Sequence, residues 1–323
     1  MSIVCFGELL IDFVSMQSGV TVGDSPGFYK TPGGAPANVA VAAARLGIPA
    51  AFLGMVGDDP FGHYLEGVVR ADGVDTRGLR FHPDARTALA FVSNTLDGDR
   101  SFSFYRNPSA DMLMRPEDVA LDVIDDYRVF HHGSITLIGE PSRSATLAAV
   151  EYARSRGKLI SYDPNLRMAL WPNADAARAG MLSGMDYAHV VKITDEELEF
   201  MTGGSSVSAL WRPGMRVIAV TRGPEGSTLY HRHGETVTQV SAPGFRVKAI
   251  DTTGAGDGFI AGLVTKLLEY GGENPLEADY SAHLPDIARF ANAVGALATT
   301  ERGGIPGLPK RAAVEAFLGG AAG

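Results

Sequence analysis

The stretch FRVKAIDTTGAGDGFIAGLVTKLLEY, residues 245–270, sets an apolar run, a patch of small residues and an apolar-faced helix in immediate succession. Residues 245–250 read as a strand. Phe259, Leu263 and Leu267 recur at four-residue spacing, which puts them on one face of a helix over residues 256–270. Between the two elements, Gly254, Ala255 and Gly256 leave backbone N–H groups uncovered at the helix start. Unpaired amides and the helix macrodipole together stabilise an anion at such a point. Asp257 follows directly. A carboxylate there can accept the proton of an attacking hydroxyl while the amides hold the charge of a transferring phosphoryl group. Alone, the same residues would also serve as a glycine turn leading into an acidic first helical turn.

On either side, short apolar runs alternate with helical patterns, as in an α/β protein built on a mostly parallel sheet. Ile3–Phe6 and residues 51–56, 129–132, 158–162, 187–193 and 216–221 read as strands. Residues 37–46, stopped by Gly47 and Pro49, read as a helix, as do 61–72, 142–156 and 284–299. Two stretches, 13–31 and 79–107, break the alternation and carry period-two segments at 87–94 and 101–105. They read as a small extra sheet that serves as a lid. Its alternating apolar positions need cover on both sides, one over a pocket and the other against a second subunit, so a homodimer is expected. Residues 319–323 read as a frayed tail.

Composition excludes several classes of function. The chain has 323 residues, 45% of them hydrophobic and 20% charged, ordinary for a soluble globular protein with a sizeable core. Length alone suggests about two domains. A formal net charge of -9 argues against general binding to nucleic acid, although local amides and a few cations can still hold phosphates. Cys5 is the single cysteine, so neither an intrachain disulfide nor a multi-thiolate zinc site can form; it reads as a core thiol. No run approaches the roughly 20 apolar residues of a membrane helix, and no basic segment precedes the first apolar run. The cytoplasm is the expected compartment, with no membrane partner.

In open parallel sheets, ligands bind beyond the carboxyl ends of the strands. Asp12 follows the first strand and could take two sugar hydroxyls. Gly33 and Gly34 allow close backbone approach ahead of the first helix, and the Asn38 amide can donate and accept. Asp163-Pro164-Asn165-Leu166-Arg167 ends another strand, with Asn165 and Arg167 suited to sugar or phosphate oxygens and Asp163-Pro164 also ordinary turn chemistry. Lys192-Ile193-Thr194-Asp195-Glu196-Glu197 ends a third strand and opens an acidic helix. Glu197 fits both a capping box with Thr194 and a magnesium–water ligand. Thr221-Arg222-Gly223-Pro224-Glu225-Gly226 makes a turn that could face phosphate. Other catalytic plans fail: there is no G-x-x-x-x-G-K-[ST] loop, no G-x-S-x-G elbow and no H-E-x-x-H helix. Phe259 stands where a dinucleotide fingerprint needs its third glycine. His131-His132 has no third ligand nearby and reads as structural.

Residues 33–38 and 251–257 resemble the two signature regions of the ribokinase-like (PfkB) carbohydrate kinases. GGAPANVAVAAARLG from Gly33, TALAF from Thr87, FSFYRNPSADMLM from Phe102, YDPNLRMALWP from Tyr162 and TERGGIPGLP from Thr300 resemble the fructokinase branch. The resemblance spans nearly the whole chain. It implies one three-layer α/β/α domain over residues 1–323, with a mostly parallel central sheet and a β-sheet lid formed by 13–32 and 79–108. It implies transfer of phosphate from ATP to fructose, with the 6-phosphate as expected product, Asp257 as base and Gly254, Ala255 and Gly256 as anion hole. It assigns Asp12, Gly33, Gly34 and Asn38 to the sugar, and Arg106 and Arg167 near the sugar or the transferred phosphate. Lys192, Thr221, Gly223, Gly226 and Asn292 would line the ATP site. Magnesium would arrive with ATP, with Glu197 acting through water. A monovalent cation, potassium, would sit beside Asp251 and Thr253. The broad family carries Asn where this chain has Thr194, and fructokinase-like members often carry a hydroxyl residue there. Kinases for 2-keto-3-deoxygluconate, ribose or a nucleoside are the competing enzymes, and a catalytically inactive regulatory relative is the competing class.

Overall fold

The computed structural model describes residues 1–94 and 100–320; residues 95–99 of the expected lid and 321–323 of the expected tail lie outside the described residues. Thirteen strands run through the described residues: β1 (Ile3–Phe6), β2 (Leu10–Ser15), β3 (Phe28–Gly33), β4 (Ala50–Gly57), β5 (Asp75–His82), β6 (Leu89–Asn94), β7 (Arg100–Tyr105), β8 (Val129–Gly133), β9 (Leu159–Asp163), β10 (Val190–Thr194), β11 (Val217–Thr221), β12 (Ser227–His233) and β13 (Thr236–Ala242). The helices are α1 (Ala35–Arg45), α2 (Pro60–Ala71), α3 (Leu121–Asp125), α4 (Ser142–Ser155), α5 (Ala174–Met185), α6 (Asp195–Thr202), α7 (Ala255–Gly271), α8 (Leu284–Ala298), α9 (Gly304–Gly307) and α10 (Arg311–Gly320).

Nine strands form one sheet in the order β13-β12-β11-β10-β9-β8-β1-β4-β5. All neighbours from β11 to β5 are parallel, and the β11–β12–β13 edge is antiparallel. Its strands are continuous apolar runs such as Val190–Thr194, as expected of a sheet covered on both faces. Alternate side chains go to opposite layers. Ile3, Cys5 and Phe52 pack with buried residues of α1, α2, α7 and α8. Val4, Phe6 and Phe130 pack under α4, and Tyr162, Val191 and Ile193 under α5 and α6. The chain leaves β1 for β4 on one side and returns to β8 on the other, so the order reverses beside β1. A crevice opens at such a switch point, beyond the strands' carboxyl ends.

The second sheet has four strands in the order β3-β2-β6-β7. Leu10, Ala90 and Phe104 cluster on one side of it. Phe13, Phe28, Phe91 and Tyr105 stack on the other, where Phe13 also meets Phe61 of α2 with ring centroids 6.0 Å apart. Two expectations need correction here. Residues 79–82 belong to β5 at the edge of the large sheet, because Leu79 and its neighbours continue the pairing with β4. Asp12 follows β1 but does not sit in a loop at its carboxyl end; it lies within β2 of the small sheet.

A third correction concerns residues 245–250, which form no strand. Pro243 and Gly244 break the chain after β13, and the alternation of Phe245, Val247 and Ala249 serves a cavity wall instead of a ladder. Backbone bonds from Ile250 N and Asp251 N to Thr299 O, at 2.8 and 3.2 Å, fasten its end to the C-terminus of α8. No helix among the described residues is long and apolar enough to cross a membrane.

Candidate active site

A cavity of about 770 Å³ lies in the crevice, between the carboxyl ends of the large sheet, the start of α7 and the small sheet. At its centre Gly254 caps α7 with φ of 82°, the left-handed region where glycine avoids strain. The preceding loop is held by Asp251. Its Oδ1 accepts from Thr253 N and Thr253 Oγ1 at 2.9 and 2.7 Å, and its Oδ2 accepts from Gly303 N at 2.9 Å. A Cβ on Gly256 would stand 2.9 Å from Lys192 Nζ, so the bare backbone lets the ammonium reach the helix start. Amide donors, a helix N-terminus and a lysine thus converge on one point, the chemistry of a phosphate cradle.

Asp257, in the first turn of α7, is only 8% exposed. Its Oδ2 accepts a 2.7 Å hydrogen bond from Asn38 Nδ2. Burial pushes its carboxyl up to about 6, offset in part by the Asn38 bond; Asp163 adds to the rise and Lys192 and Arg167 oppose it. The group is ionised at neutral pH and still basic enough to accept a proton, the balance that a general base needs.

Asn38 reaches the site because α1 starts in a constrained turn. Gly34 has φ of 110°, and a Cβ there would stand 2.3 Å from Glu8 O. A Cβ on Gly33 would stand 2.2 Å from Asp12 Oδ2, so that glycine keeps room for the carboxylate that faces the cavity. Gly304 leaves equal room for Asn38, whose amide would meet a Cβ there at 2.7 Å. Asn38 Oδ1 is buried and has no hydrogen-bond partner among the described residues. Asn38 thus keeps one amide acceptor in reserve beside the base.

The ends of β9, β10 and β11 supply the rest. Lys192 is ion-paired with Asp163 at 3.1 Å, both side chains buried. Burial works against the ammonium, but Asp163, Glu197 and Asp257 together hold it charged. Asn165 has φ of 46°, the one positive value on a non-glycine residue among those described, and its N–H donates to Asp163 Oδ1 at 3.1 Å. This Asx turn aims Asn165 and Arg167 into the cavity and shows turn chemistry and site chemistry in the same residues. Thr221, Gly223 and Gly226 line the far end with Phe245 and Val247. Asn292 of α8 lines it too, and its Nδ2 donates to Ala242 O and Pro243 O at 3.2 and 3.1 Å, which clamps the 243–249 segment in place.

Most of the sequence-derived residues therefore meet in one cavity: Asp12, Gly34, Asn38, Asn165, Arg167, Lys192, Thr221, Gly223, Gly226, Thr253, Gly254, Ala255, Gly256, Asp257 and Asn292 all line it. Gly33 and Asp251 act from behind the wall. Arg106 does not line the cavity; its guanidinium is ion-paired with Asp111, beside Glu8, which does. Glu197 also stands outside the lining. Its Oε1 accepts from Leu166 N at 2.7 Å and its Oε2 from Thr194 N at 2.9 Å, in a capping box that keeps it behind the wall while Thr194 faces the cavity.

Glu8, Leu10, Phe104, Ile135 and Phe245 line the cavity without having been foreseen. The signal for Glu8 was a lone charge inside the first apolar stretch; Leu10 and Phe104 gave none beyond strand alternation. Asp251 and Thr253 offer hard oxygen donors, the chemistry a monovalent cation takes. His231, His233 and Asp279 gather elsewhere at metal-ligand spacing. There, however, His231 Nε2 accepts from Tyr280 N at 3.0 Å and its Nδ1 faces Arg216 O at 3.1 Å, so both nitrogens are taken.

Comparison with known proteins agrees with this geometry. The profile of the pfkB family carbohydrate kinases matches residues 1–311. Probable fructokinase-4 of Arabidopsis thaliana is 49% identical over 323 aligned residues, covering 98% of this chain and 97% of the relative. Fructokinase of Xylella fastidiosa with bound ATP superposes with a TM-score of 0.88 at 34% identity, covering 100% of this chain and 99% of that one. A double mutant of Vibrio cholerae O395 fructokinase, bound to fructose, ADP and potassium, gives 0.84 at 35% identity, covering 98% of each chain. Near full-length identity to such relatives, on a cavity with a base at an amide-lined helix start, settles the matter: the chain belongs to the pfkB family of carbohydrate kinases.

Proposed function

We propose that this chain is an ATP-dependent fructokinase that converts ATP and D-fructose to ADP and D-fructose 6-phosphate. The observation that supports it best is the Asp257 carboxylate, held by Asn38 at 2.7 Å beside the amides of Gly254, Ala255 and Gly256. Asp257 takes the proton of the sugar's primary hydroxyl as that oxygen bonds to phosphorus in line with the leaving ADP oxygen. The amides at the start of α7 hold the charge on the moving phosphoryl group. Asp12, Asn38 and Asn165 orient the sugar, with Gly33 and Gly34 giving them room, and Arg167 faces the phosphoryl group. Lys192, Thr221, Gly223, Gly226 and Asn292 form the nucleotide end.

Magnesium enters with ATP and neutralises phosphate charge. The cavity's carboxylates, Glu8, Asp12 and Asp257, come from separate elements and form no cage that would hold it alone. Asp251 and Thr253 would hold potassium. The chain works in the cytoplasm as one domain over residues 1–323, with the small sheet as a lid over the sugar end. It forms a homodimer through the lid's outer side, where Tyr105 is 64% exposed; a monomer in light scattering at micromolar concentration, with full activity, removes that element.

A coupled ADP-release assay over fructose, 2-keto-3-deoxygluconate, ribose and nucleosides, with the product identified by NMR, tests the function. Fructose is expected to give the highest kcat/KM and a 6-phosphate. Preference for another acceptor overturns the substrate, and no ADP release with any acceptor assigns the chain to inactive regulatory relatives.

A further inference from the structure

The chain crosses between the two sheets four times: at residues 7–9, at Gly34, over residues 83–88 and at residues 106–109. Glu8 stands in the first crossing and is 2% exposed. Its Oε1 accepts from Ala35 N, just past the second crossing, at 2.9 Å. Its charge faces Arg106 and Asp111, which form a buried ion pair at the fourth. One carboxylate therefore joins three of the four passages between body and lid. The third is fastened separately, by Asp59 of the α2 cap, which accepts from Thr87 N and Thr87 Oγ1, both at 2.8 Å.

Burial of a carboxylate is costly. Desolvation raises Glu8 to about 7, against the pull of nearby backbone amides and Arg106. Phosphoryl transfer as described above makes no use of the group. Its position gives it another task. Ala35 and Asn38 are three residues apart on α1 and so lie on the same face, which means that holding the Ala35 amide sets the phase in which Asn38 meets Asp257. Asp12 follows Glu8 by four residues along the chain into β2 and faces the same cavity.

We propose that Glu8 is a positioning residue for the sugar, registering β2, α1 and the end of β7 so that Asp12 and Asn38 present their hydrogen-bonding groups in one fixed geometry. The proposal rests on the fructokinase reading. At about pH 8, above the Glu8 value of about 7, the group is ionised; there Glu8→Gln keeps the side-chain shape and removes the charge facing Arg106, and Glu8→Asp keeps the charge and withdraws it from Ala35 N. Steady-state kinetics with each substrate varied, together with thermal melts, form the test. Both variants should raise KM for fructose about tenfold or more, leave KM for ATP within about twofold, and melt within a few degrees of the parent. A fructose KM unchanged in either folded variant overturns the proposal. So does a parallel rise in both KM values with a large drop in Tm, which would make Glu8 a general core residue. Failure of both variants to fold has the same meaning. A parent enzyme silent on fructose removes both the reading and the proposal, whereas an active parent with unperturbed variants removes the proposal alone.

Discussion

The two ends of the cavity are made of different material. The phosphoryl end is built from backbone: Gly254 and Gly256 at the start of α7, and Gly223 and Gly226 after β11, bring amides and turns to the ligand. The sugar end is built from polar side chains, buried Glu8 and Asn38 and half-buried Asp12, carried by a crossing loop, α1 and the small sheet. A phosphate is a fixed anion that any set of convergent amides can hold. A sugar offers hydroxyls in a pattern, and only side chains of defined direction can match it. Recognition by charge tolerates a shared scaffold, and recognition by pattern needs individually supported groups.

Four substitutions break or sharpen this contrast. Asp257→Asn joins the two ends and should have the largest effect. It preserves shape and removes basicity, so kcat should fall by about 10²–10⁴-fold while fluorescence titration still reports binding of fructose and ATP. With the parent carboxyl raised to about 6, activity should be lost as pH falls through that value, when the base becomes protonated, and level off above it. The Asn variant should lack that limb; a kcat within about threefold of the parent would falsify the base assignment.

Lys192→Met tests the phosphoryl end. It leaves Asp163 buried without its partner, and removing one member of such a pair costs about 3–5 kcal/mol, readable in urea unfolding. KM for ATP should rise more than KM for fructose; the reverse would place Lys192 at the sugar.

Glu197→Gln separates support from chemistry. One acceptor facing Leu166 N or Thr194 N is lost, for about 1.5–3 kcal/mol of stability. The magnesium concentration for half-maximal rate should stay where it was, and a clear increase would return Glu197 to a metal role. Gly33→Ala is the mildest. Its new Cβ must push Asp12 aside, so KM for fructose should rise roughly tenfold, about 1.4 kcal/mol, with KM for ATP unmoved. Equal rises in both would show that the ends are not separate.

The same contrast explains what could be read from the amino acids. Gly254, Gly256 and Asp257 were legible because a glycine-rich turn before an amphipathic helix has few other uses. The large sheet was legible from its continuous apolar runs. Residues 245–250 misled because a short apolar run suits a cavity wall as well as a strand. The pairing of Arg106 was not legible, because its sequence context shows a cation near the site but not the Asp111 carboxylate that faces it. Glu8 was passed over because a buried charge acquires meaning only through partners far along the chain, here Ala35 and Arg106.

The fastening of the chain between β13 and α7 has a mechanical consequence. Asn292 grips the carbonyls of Ala242 and Pro243, Thr299 O grips the amides of Ile250 and Asp251, and Gly303 N grips the Asp251 carboxylate. All three anchors lie on α8 or immediately beyond it, and α8 packs along α7, which carries Asp257. The wall of the nucleotide end and the base thus share one datum. A substitution that slides α8 carries both along and preserves the distance between them, whereas Asp12, carried by β2 of the small sheet, is referenced to other elements and would fall out of alignment.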